Sequence, residues 1–428
     1  MSVALDTWSD EDASAVPGLH GQPRPRVLIA TTVPWFASAR LALAFADSGF
    51  AVDAICPPHH PLAQLTFVRM IASYPVTSPL AGLRRAIAFS GPDLVVPCDD
   101  RAAKHLRQLQ VQSTGETADL LARSVGAPEH YPLLLSRSQT LAAARAVGVR
   151  VPDTARTADR AQLRAWLEDH GFPAVLKTDG SWGGSGVRVV QNHAEAERAF
   201  AHLVRLPSKV RALKRLWVDH DGALVEPWRK GKAPFVNVQS YVDGATANVA
   251  AACRDGEILS QVGVAVMRTA YPLGPATVVR CVECPEMASA ARRTARALGL
   301  SGLCGFDFII DAAGAAHLIE VNPRATPTGH FPDGHGLALP AALGPRASEA
   351  ERRPIRNSPG PFALFPQEII RDEKSGFVEA GLLDLPTQSP ELTSLGYADW
   401  RRARNRPSAR IRRFSKMFRS QIIIDRRR

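Results

Sequence analysis

Long apolar runs are missing from these 428 residues, and no stretch approaches the ~20 residues a membrane span needs. The segment from Met1 to Pro25 is polar, acidic and Pro/Gly-bearing, and holds no apolar core of signal-peptide length. Cysteine is scarce. The six present are scattered, which argues against a disulfide framework and for a reducing cytoplasm. Cys281 and Cys284 form one Cys-x-x-Cys, but the second pair that a structural zinc would need is absent, so these read as buried or incidental thiols. No Gly-x-Gly-x-x-Gly follows the first strand-like run, which argues against a dinucleotide site. Negative charge is in deficit overall, giving a net charge of +11. Residues 401–428, however, carry twelve Arg or Lys against Asp425, so the first 400 residues are neutral as a whole. The basic balance therefore reports a tail and not a nucleic-acid-binding fold. What remains is ordinary globular material, 45 % hydrophobic and 22 % charged, enough for two or three domains.

The chain is organised around Gly305 to Arg324, two apolar strands about an Asp311-Ala312-Ala313-Gly314 turn. A turn centred between Ala313 and Gly314 places Asp307 opposite Glu320. Strand side chains alternate, so Glu320 and Asn322 share one face and Asp307 joins them. Two carboxylates and an amide oxygen inside apolar strands repel one another unless a cation sits between them. A hard ion such as Mg²⁺, shared with substrate phosphates, meets that need. Arg324 adds a fixed positive charge beside the same place. The alternative is a solvent-facing hairpin with ordinary charges.

Upstream, residues 1–23 read as disordered. Strand Arg26–Thr32, helix Ala37–Phe50, strand Ala51–Cys56, helix Leu83–Ser90 and strand Asp93–Cys98 alternate as in a small parallel α/β domain. Asp99-Asp100-Arg101 follows a strand C-terminus, where such sheets bind ligands, although either Asp also suits a helix N-cap. An Ala-rich helix from Ser136 closes at Gly148. A second, Ala161–His170, leads to strand Pro173–Lys177, the loop Thr178–Gly186 and strand Val187–Val190. A lysine ending an apolar strand before a glycine-rich loop suits phosphate, because glycines let backbone N–H groups face an anion while Lys supplies charge. An ordinary flexible hairpin is the other reading. Strands Val236–Val242, Ala247–Cys253 and Ile258–Val266 and helix Met287–Leu300 deliver the chain to the central hairpin.

In this order the motifs resemble those of the ATP-grasp enzymes, over roughly residues 24–345. The resemblance implies an α/β protein (α+β in the core). It would comprise a Rossmann-like pre-ATP-grasp domain (24–130), a two-subdomain ATP-grasp domain (131–345, glycine-loop subdomain about 172–240) and a C-terminal appendage (346–428). It implies that Gly183, Gly184, Ser185, Gly186 and Lys177 close over the ATP phosphates, with Arg137 also on phosphate. Gln239 and the backbone of Tyr241 and Val242 would read adenine. Asp307, Glu320 and Asn322 would hold two Mg²⁺ (or Mn²⁺). Arg324 would stabilise an acyl phosphate, and Arg280 is a second candidate for carboxylate or phosphate, or else a surface strand residue. Three positions depart from or inflect the pattern. Thr246 stands where many members have a ribose-binding carboxylate. Gly305 stands where D-alanine ligases have Arg. Ala325 to His330 is reminiscent of the carboxylating and formylating purine branches, and His330 is either a substrate contact or a loop histidine with no role.

The implied reaction is ATP-dependent ligation of a small-molecule carboxylate to an amine through an acyl phosphate, releasing ADP and phosphate. Bicarbonate or formate activation is the nearest alternative, and a non-catalytic nucleotide-binding protein localised by its tail is another. Dimers are common for the fold. No nucleic acid is expected. Ala409 to Ile424 has Ile411, Phe414, Phe418 and Ile422 at helical spacing among basic residues, so it reads as a docked terminal helix or as a weak membrane-surface contact.

Overall fold

In the computed structural model, residues 24–179, 186–206, 208–218, 224–231, 235–333, 336, 338–344 and 360–405 are described. The N-terminal segment 1–23, Gly183, Gly184, Ser185 and the amphipathic stretch 409–424 lie outside the described residues.

The N-terminal unit is a parallel sheet of four strands, β1 (Arg26–Ala30), β2 (Ala51–Cys56), β3 (Val68–Ser73) and β4 (Leu94–Pro97), in the order β3-β2-β1-β4. Strands buried on both faces read as continuous apolar runs, which is why β1, β2 and β4 are plain in the sequence. Strand β3, with Arg69 and Ser73 exposed, is not. Helices Pro79–Ser90, Asp100–Val111 and Gly115–Val125 cover one face through Leu83, Leu106, Leu109 and Leu121.

The second sheet comprises β5 (Thr154–Thr157), β6 (Ala174–Thr178), β7 (Val187–Val190) and β8 (Val236–Ser240), ordered β5-β8-β6-β7 and antiparallel throughout. The glycine-loop unit thus begins at Thr154 and not at about 172: β5 and helix Arg160–His170 belong to it, with Leu163 and Leu167 in its core. A four-residue strand reading Thr-Ala-Arg-Thr has too little apolar character to announce itself.

Six strands form the third sheet: β9 (Ala245–Arg254), β10 (Glu257–Thr269), β11 (Ala276–Cys281), β12 (Gly302–Ile310), β13 (Ala316–Asn322) and β14 (Phe362–Ala363), in the order β13-β12-β9-β10-β11-β14. One face packs on helices Arg137–Ala146 and Pro285–Ala297 through Phe306, Phe308 and Leu318. The other, through Ala250, Val262, Val264 and Leu303, shares a core with the N-terminal unit. Residues 360–405 are part of this body: β14 pairs with β11, and Phe365 and Leu392 enter the shared core. Among the described residues no helix is long and apolar enough to cross a membrane.

Candidate active site

The β12–β13 hairpin sets the site. Phe306 and Phe308 are fully buried against the helices, each contributing about 2–3 kcal/mol, and alternation then turns Asp307 to the opposite face. Asp307 faces Glu320, and Gly305 faces Asn322, as the hairpin reading expects. The turn itself is tighter than expected. Asp311 Oδ1 accepts from the N–H of Ala313 (3.0 Å) and Ala315 (2.9 Å), and Gly314 takes φ +81. Near the turn Phe308 pairs with Leu318, one residue out of step, and an irregularity between Asp307 and Phe308 restores the register in which the carboxylates face each other. Gly305 is required for a close approach: a Cβ there would stand 2.3 Å from Thr326 Cγ2, where the chain folds back after Arg324.

Around these carboxylates the described side chains form hydrogen-bonded groups that act on one another through charge. Asp307 accepts from Asn248 Nδ2 (2.5 Å) and Asn322 Nδ2 (2.9 Å). Burial, then the neighbouring Glu320 charge, pushes Asp307 up to about 6, although its amide partners and Arg324 act the other way. Glu320 is held by Arg137 Nη2 at 2.5 Å. Arg324, 8 % exposed, donates to Asp100 Oδ1 (2.7 Å), Asp100 Oδ2 (3.2 Å) and Asn322 Oδ1 (3.0 Å). Burial opposes its charge, but Asp100 outweighs that and holds the guanidinium protonated. From the second sheet Lys177, 5 % exposed, donates to Gln239 Oε1 at 2.8 Å. Burial and then Arg137 lower Lys177 to about 8, against the attraction of Glu320 and Asp307.

The N-terminal unit supplies the floor. Ala325 N–H bonds Pro97 O (3.0 Å), joining the end of β4 to the chain after Arg324. Arg107 donates to Pro323 O (3.2 Å) and to Val125 O (3.2 Å). Of the two readings of the Asp99-Asp100 pair, the structure bears out the N-cap, at Asp99. Asp99 caps the helix through Arg101 N (3.1 Å) and Ala102 N (2.9 Å), whereas Asp100 clamps Arg324.

The structure thus brings together Asp307, Glu320, Asn322, Arg324, Arg137, Lys177 and Gln239. Gln239 is buried and also donates to Thr154 Oγ1 (3.0 Å). Tyr241 is exposed and its N–H bonds Pro173 O (3.3 Å), and Val242 is half-buried. At the edge of the glycine loop, Gly186 O accepts from Thr178 N–H (3.1 Å). Arg280 does not join them. It is exposed and faces Ala265, in the row that runs through Ala247 to Phe308. Facing residues project to one side of a sheet, so Arg280 leaves on the side opposite to Asp307. His330 does not join them either: its Nε2 sits 2.8 Å from Asp384 Oδ2 in a separate cavity.

Sequence reasoning missed Asn248 and the role of Asp100. Asn248 did leave a signal, a single amide in the Ala/Val run of β9, directly opposite Asp307. The Asp100 contact spans 224 positions and leaves none.

The donor set fits a hard divalent ion. It offers two carboxylates and an amide oxygen, one carboxylate raised to about 6 by burial and by its Glu320 neighbour, so a cation beside it would favour its charged form. Among the described residues no group of three or more His, Cys, Asp or Glu stands together, so oxygen ligands from a bound phosphate would have to complete the shell.

Residues 136–328 match the family described as carbamoyl-phosphate synthase L chain, ATP binding domain. A curated relative, the carbamoyl phosphate synthase large chain of Vibrio cholerae, is 25 % identical over 230 residues, which is 52 % of this chain and 20 % of that one. The chain therefore spans about one fifth of that relative's length. Among solved structures, an ADP complex of N5-carboxyaminoimidazole ribonucleotide synthetase superposes with TM-score 0.54 at 16 % identity, covering 76 % of this chain and 77 % of the other. Biotin carboxylase from Campylobacter jejuni gives 0.53 at 16 % identity, with 78 % and 73 % covered. L-amino acid ligase from Bacillus licheniformis gives 0.51 at 16 % identity, with 78 % of each covered. These likenesses establish the fold. The segment matched by the family model carries Arg137, Lys177, Asp307, Glu320, Asn322 and Arg324.

Proposed function

We propose that the chain is an ATP- and Mg²⁺-dependent ligase that activates a small-molecule carboxylate as an acyl phosphate for attack by an amine, releasing ADP and phosphate. The observation that carries this reading is the opposition of Asp307, Glu320 and Asn322 on one sheet to Lys177 on another, with Arg324 between them and the N-terminal unit. Asp307, Glu320 and Asn322 would hold Mg²⁺, which when bound neutralises phosphate charge and fixes the orientation of the transferred group.

The chain's own residues then do the following. Lys177 and Arg137 hold the phosphate oxygens of ATP against the carboxylate-bearing sheet. A substrate carboxylate oxygen attacks the terminal phosphorus, the bond to ADP breaks, and an acyl phosphate forms. Arg324, anchored by Asp100, faces the negative charge that grows on the acyl oxygen when an amine nitrogen adds to the acyl carbon. The C–O bond to phosphate breaks, and the proton lost by nitrogen ends on the released phosphate. Lys177 and Arg324 are both more than nine-tenths buried, so their charges act with little screening from water.

The resemblance to biotin carboxylase and to N5-carboxyaminoimidazole ribonucleotide synthetase favours one second reading, in which bicarbonate is the acid activated. One assay decides between them. Nucleotide products are measured with Mg·ATP and pools of acids and amines, for the native chain and for Glu320→Ala. ADP and phosphate that depend on an organic acid and vanish in the variant support the ligase. Turnover with bicarbonate alone selects the second reading, and AMP with pyrophosphate overturns both. We further propose a reducing cytoplasm as its location, with which six free thiols are in keeping, and a homodimer, which light scattering of the purified chain would check.

A further inference from the structure

A second cavity lies away from the reaction centre. Its volume is about 860 Å³, within the range of small-molecule sites, and its walls include none of Lys177, Asp307, Glu320, Asn322 or Arg324. It opens between helix Phe36–Asp47 of the N-terminal unit, the end of β11, the start of helix Pro285–Ala297 and the segment Asp384–Gln388. One of its lining residues, Cys281, shares a sheet row with Asp307 by way of Val264 and Asn248. Three strand spacings of ~4.8 Å put those two positions ~14 Å apart. Val264, fully buried in that row, closes the space between them.

The cavity is a built polar site. Arg40 is 7 % exposed and lines it. Its Nη2 donates to Asp384 Oδ2 at 2.7 Å, but its buried Nε has no partner among the described residues. Gln261, which also lines the cavity, has a buried Oε1 with no partner among the described residues. A buried donor and a buried acceptor each left unmatched cost about 1–3 kcal/mol, so a ligand that brings both an acceptor and a donor recovers two such terms. Helix Pro285–Ala297 starts at the wall and adds donors. Its Cys284 N-cap makes no side-chain capping bond, and Glu286, the acid of the first turn, is turned away to Ala316 N–H (3.0 Å). The rim has the other polarity: Glu283 lies there with Asp47, which accepts from Gln388 Nε2 (3.3 Å), and Asp333, which accepts from Ser260 Oγ (2.9 Å), while Arg40 is paired with Asp384. Leu43, Val262, Met287 and Phe331 form the apolar part of the wall.

We propose that this cavity binds a small zwitterion of the α-amino-acid class, its carboxylate on Arg40 Nε and the start of helix Pro285–Ala297, its ammonium on Gln261 Oε1 and the rim carboxylates. The proposal does not rest on the ligase reading, because none of these groups belongs to the reaction centre.

Saturation-transfer NMR on the full chain tests it, with pools of the twenty L-amino acids at 1 mM each, EDTA present and no nucleotide. At least one free amino acid gives a signal, and its amide and its N-acetyl derivative each bind at least tenfold more weakly. Ala44→Trp and Ala288→Trp, which fill the cavity from two different helices without touching a charge, each weaken binding at least tenfold while leaving ADP binding as a check on folding. Arg324→Ala leaves the amino acid bound. The proposal falls if no pool member binds, if both tryptophan variants bind as the native chain does, or if the amide and N-acetyl forms bind equally well. It also falls if Arg324→Ala abolishes the signal, since the amino acid would then occupy the reaction centre.

Discussion

Replacing Asp307 by Asn removes one charge from the reaction centre and preserves its shape, so the change in folding stability measures how far that carboxylate is held against its preference. Burial and then Glu320 hold the Asp307 carboxyl at about 6 instead of 3.8. At about 1.4 kcal/mol per pH unit, keeping it ionised in the folded chain at pH 7.5 costs about 3 kcal/mol. The side chain is still partly open to solvent, which reduces that figure, and Asn can accept from only one of Asn248 and Asn322, which costs about 1 kcal/mol. The variant is therefore more stable than the native chain by about 1–2 kcal/mol at pH 7.5. The sign reverses the usual carboxylate case. A raised pKa means that the folded chain holds its proton more tightly than the unfolded one, so the penalty is absent below pH 3.8 and complete above about 6. At pH 5 the ionisation penalty is about half as large while the lost amide bond costs the same, so the gain should shrink to about a third or less. Urea unfolding in EDTA at the two pH values reads this directly, while acid-dependent ADP release should fall about a thousandfold or more in the same variant. Destabilisation of more than about 1 kcal/mol at pH 7.5, or a gain that does not shrink at pH 5, would refute the account of Asp307 as a carboxylate kept ionised for a cation.

Two further outcomes follow from the same contacts. Asp100→Ala frees Arg324 from its two-point anchor, so kcat should fall about 10- to 100-fold with KM for ATP changed less than about twofold; an unchanged kcat in steady-state assays would mean that Arg324 needs no positioning. Lys177, lowered to about 8 chiefly by burial, carries its charge below that pH and loses it above. Calorimetric ADP affinity should therefore drop up to tenfold per pH unit above about 8, and Lys177→Arg should flatten the profile between about pH 7 and 9.5; a flat profile in the native chain would remove Lys177 from the phosphate site.

What the sequence disclosed and what it hid divide along a physical line. Asp307, Glu320 and Asn322 were legible because a hairpin ties partners a few residues apart, and polar side chains in an apolar strand have no bland purpose. Even there, the half-residue error in the turn was absorbed by the irregularity after Asp307, a compensation that local sequence does not reveal. Arg280 stays open in the sequence, between a substrate contact and a surface strand residue, because a strand residue's face depends on register across three neighbouring strands, and a one-residue slip moves it to the other side; the structure selects the surface. The extent of the glycine-loop unit was misjudged because β5 pairs with β8 some eighty residues later and carries no apolar pattern of its own. Asp100 was half-read: the cap is local and visible at Asp99, while the clamp on Arg324 exists only once the N-terminal unit docks.

The arrangement of charge bears on how ligands enter. The carboxylates of the site (Asp100, Asp179, Glu320, Asp307) and its cations (Arg137, Lys177, Arg324) are not evenly matched. Arg137 pairs with Glu320 and also acts on Asp179, and Arg324 pairs with Asp100. Asp307 is left with the amides of Asn248 and Asn322, and Lys177 with the amide of Gln239. Both are displaced from their ordinary ionisation in the direction that weakens charge: the carboxyl is raised and the ammonium lowered. They stand on different sheets, β12 and β6, and Asp307 only partly offsets the burial that lowers Lys177. A cation beside Asp307 and an anion beside Lys177 would each restore a charge that burial suppresses, and each would attract the other across the gap. Divalent metal and nucleotide phosphate should accordingly bind as a coupled pair, each tightening the other, and Asp307→Asn should weaken ADP binding more in Mg²⁺ than in EDTA. Equal losses in the two conditions would mean that Asp307 acts on the nucleotide without a metal between them.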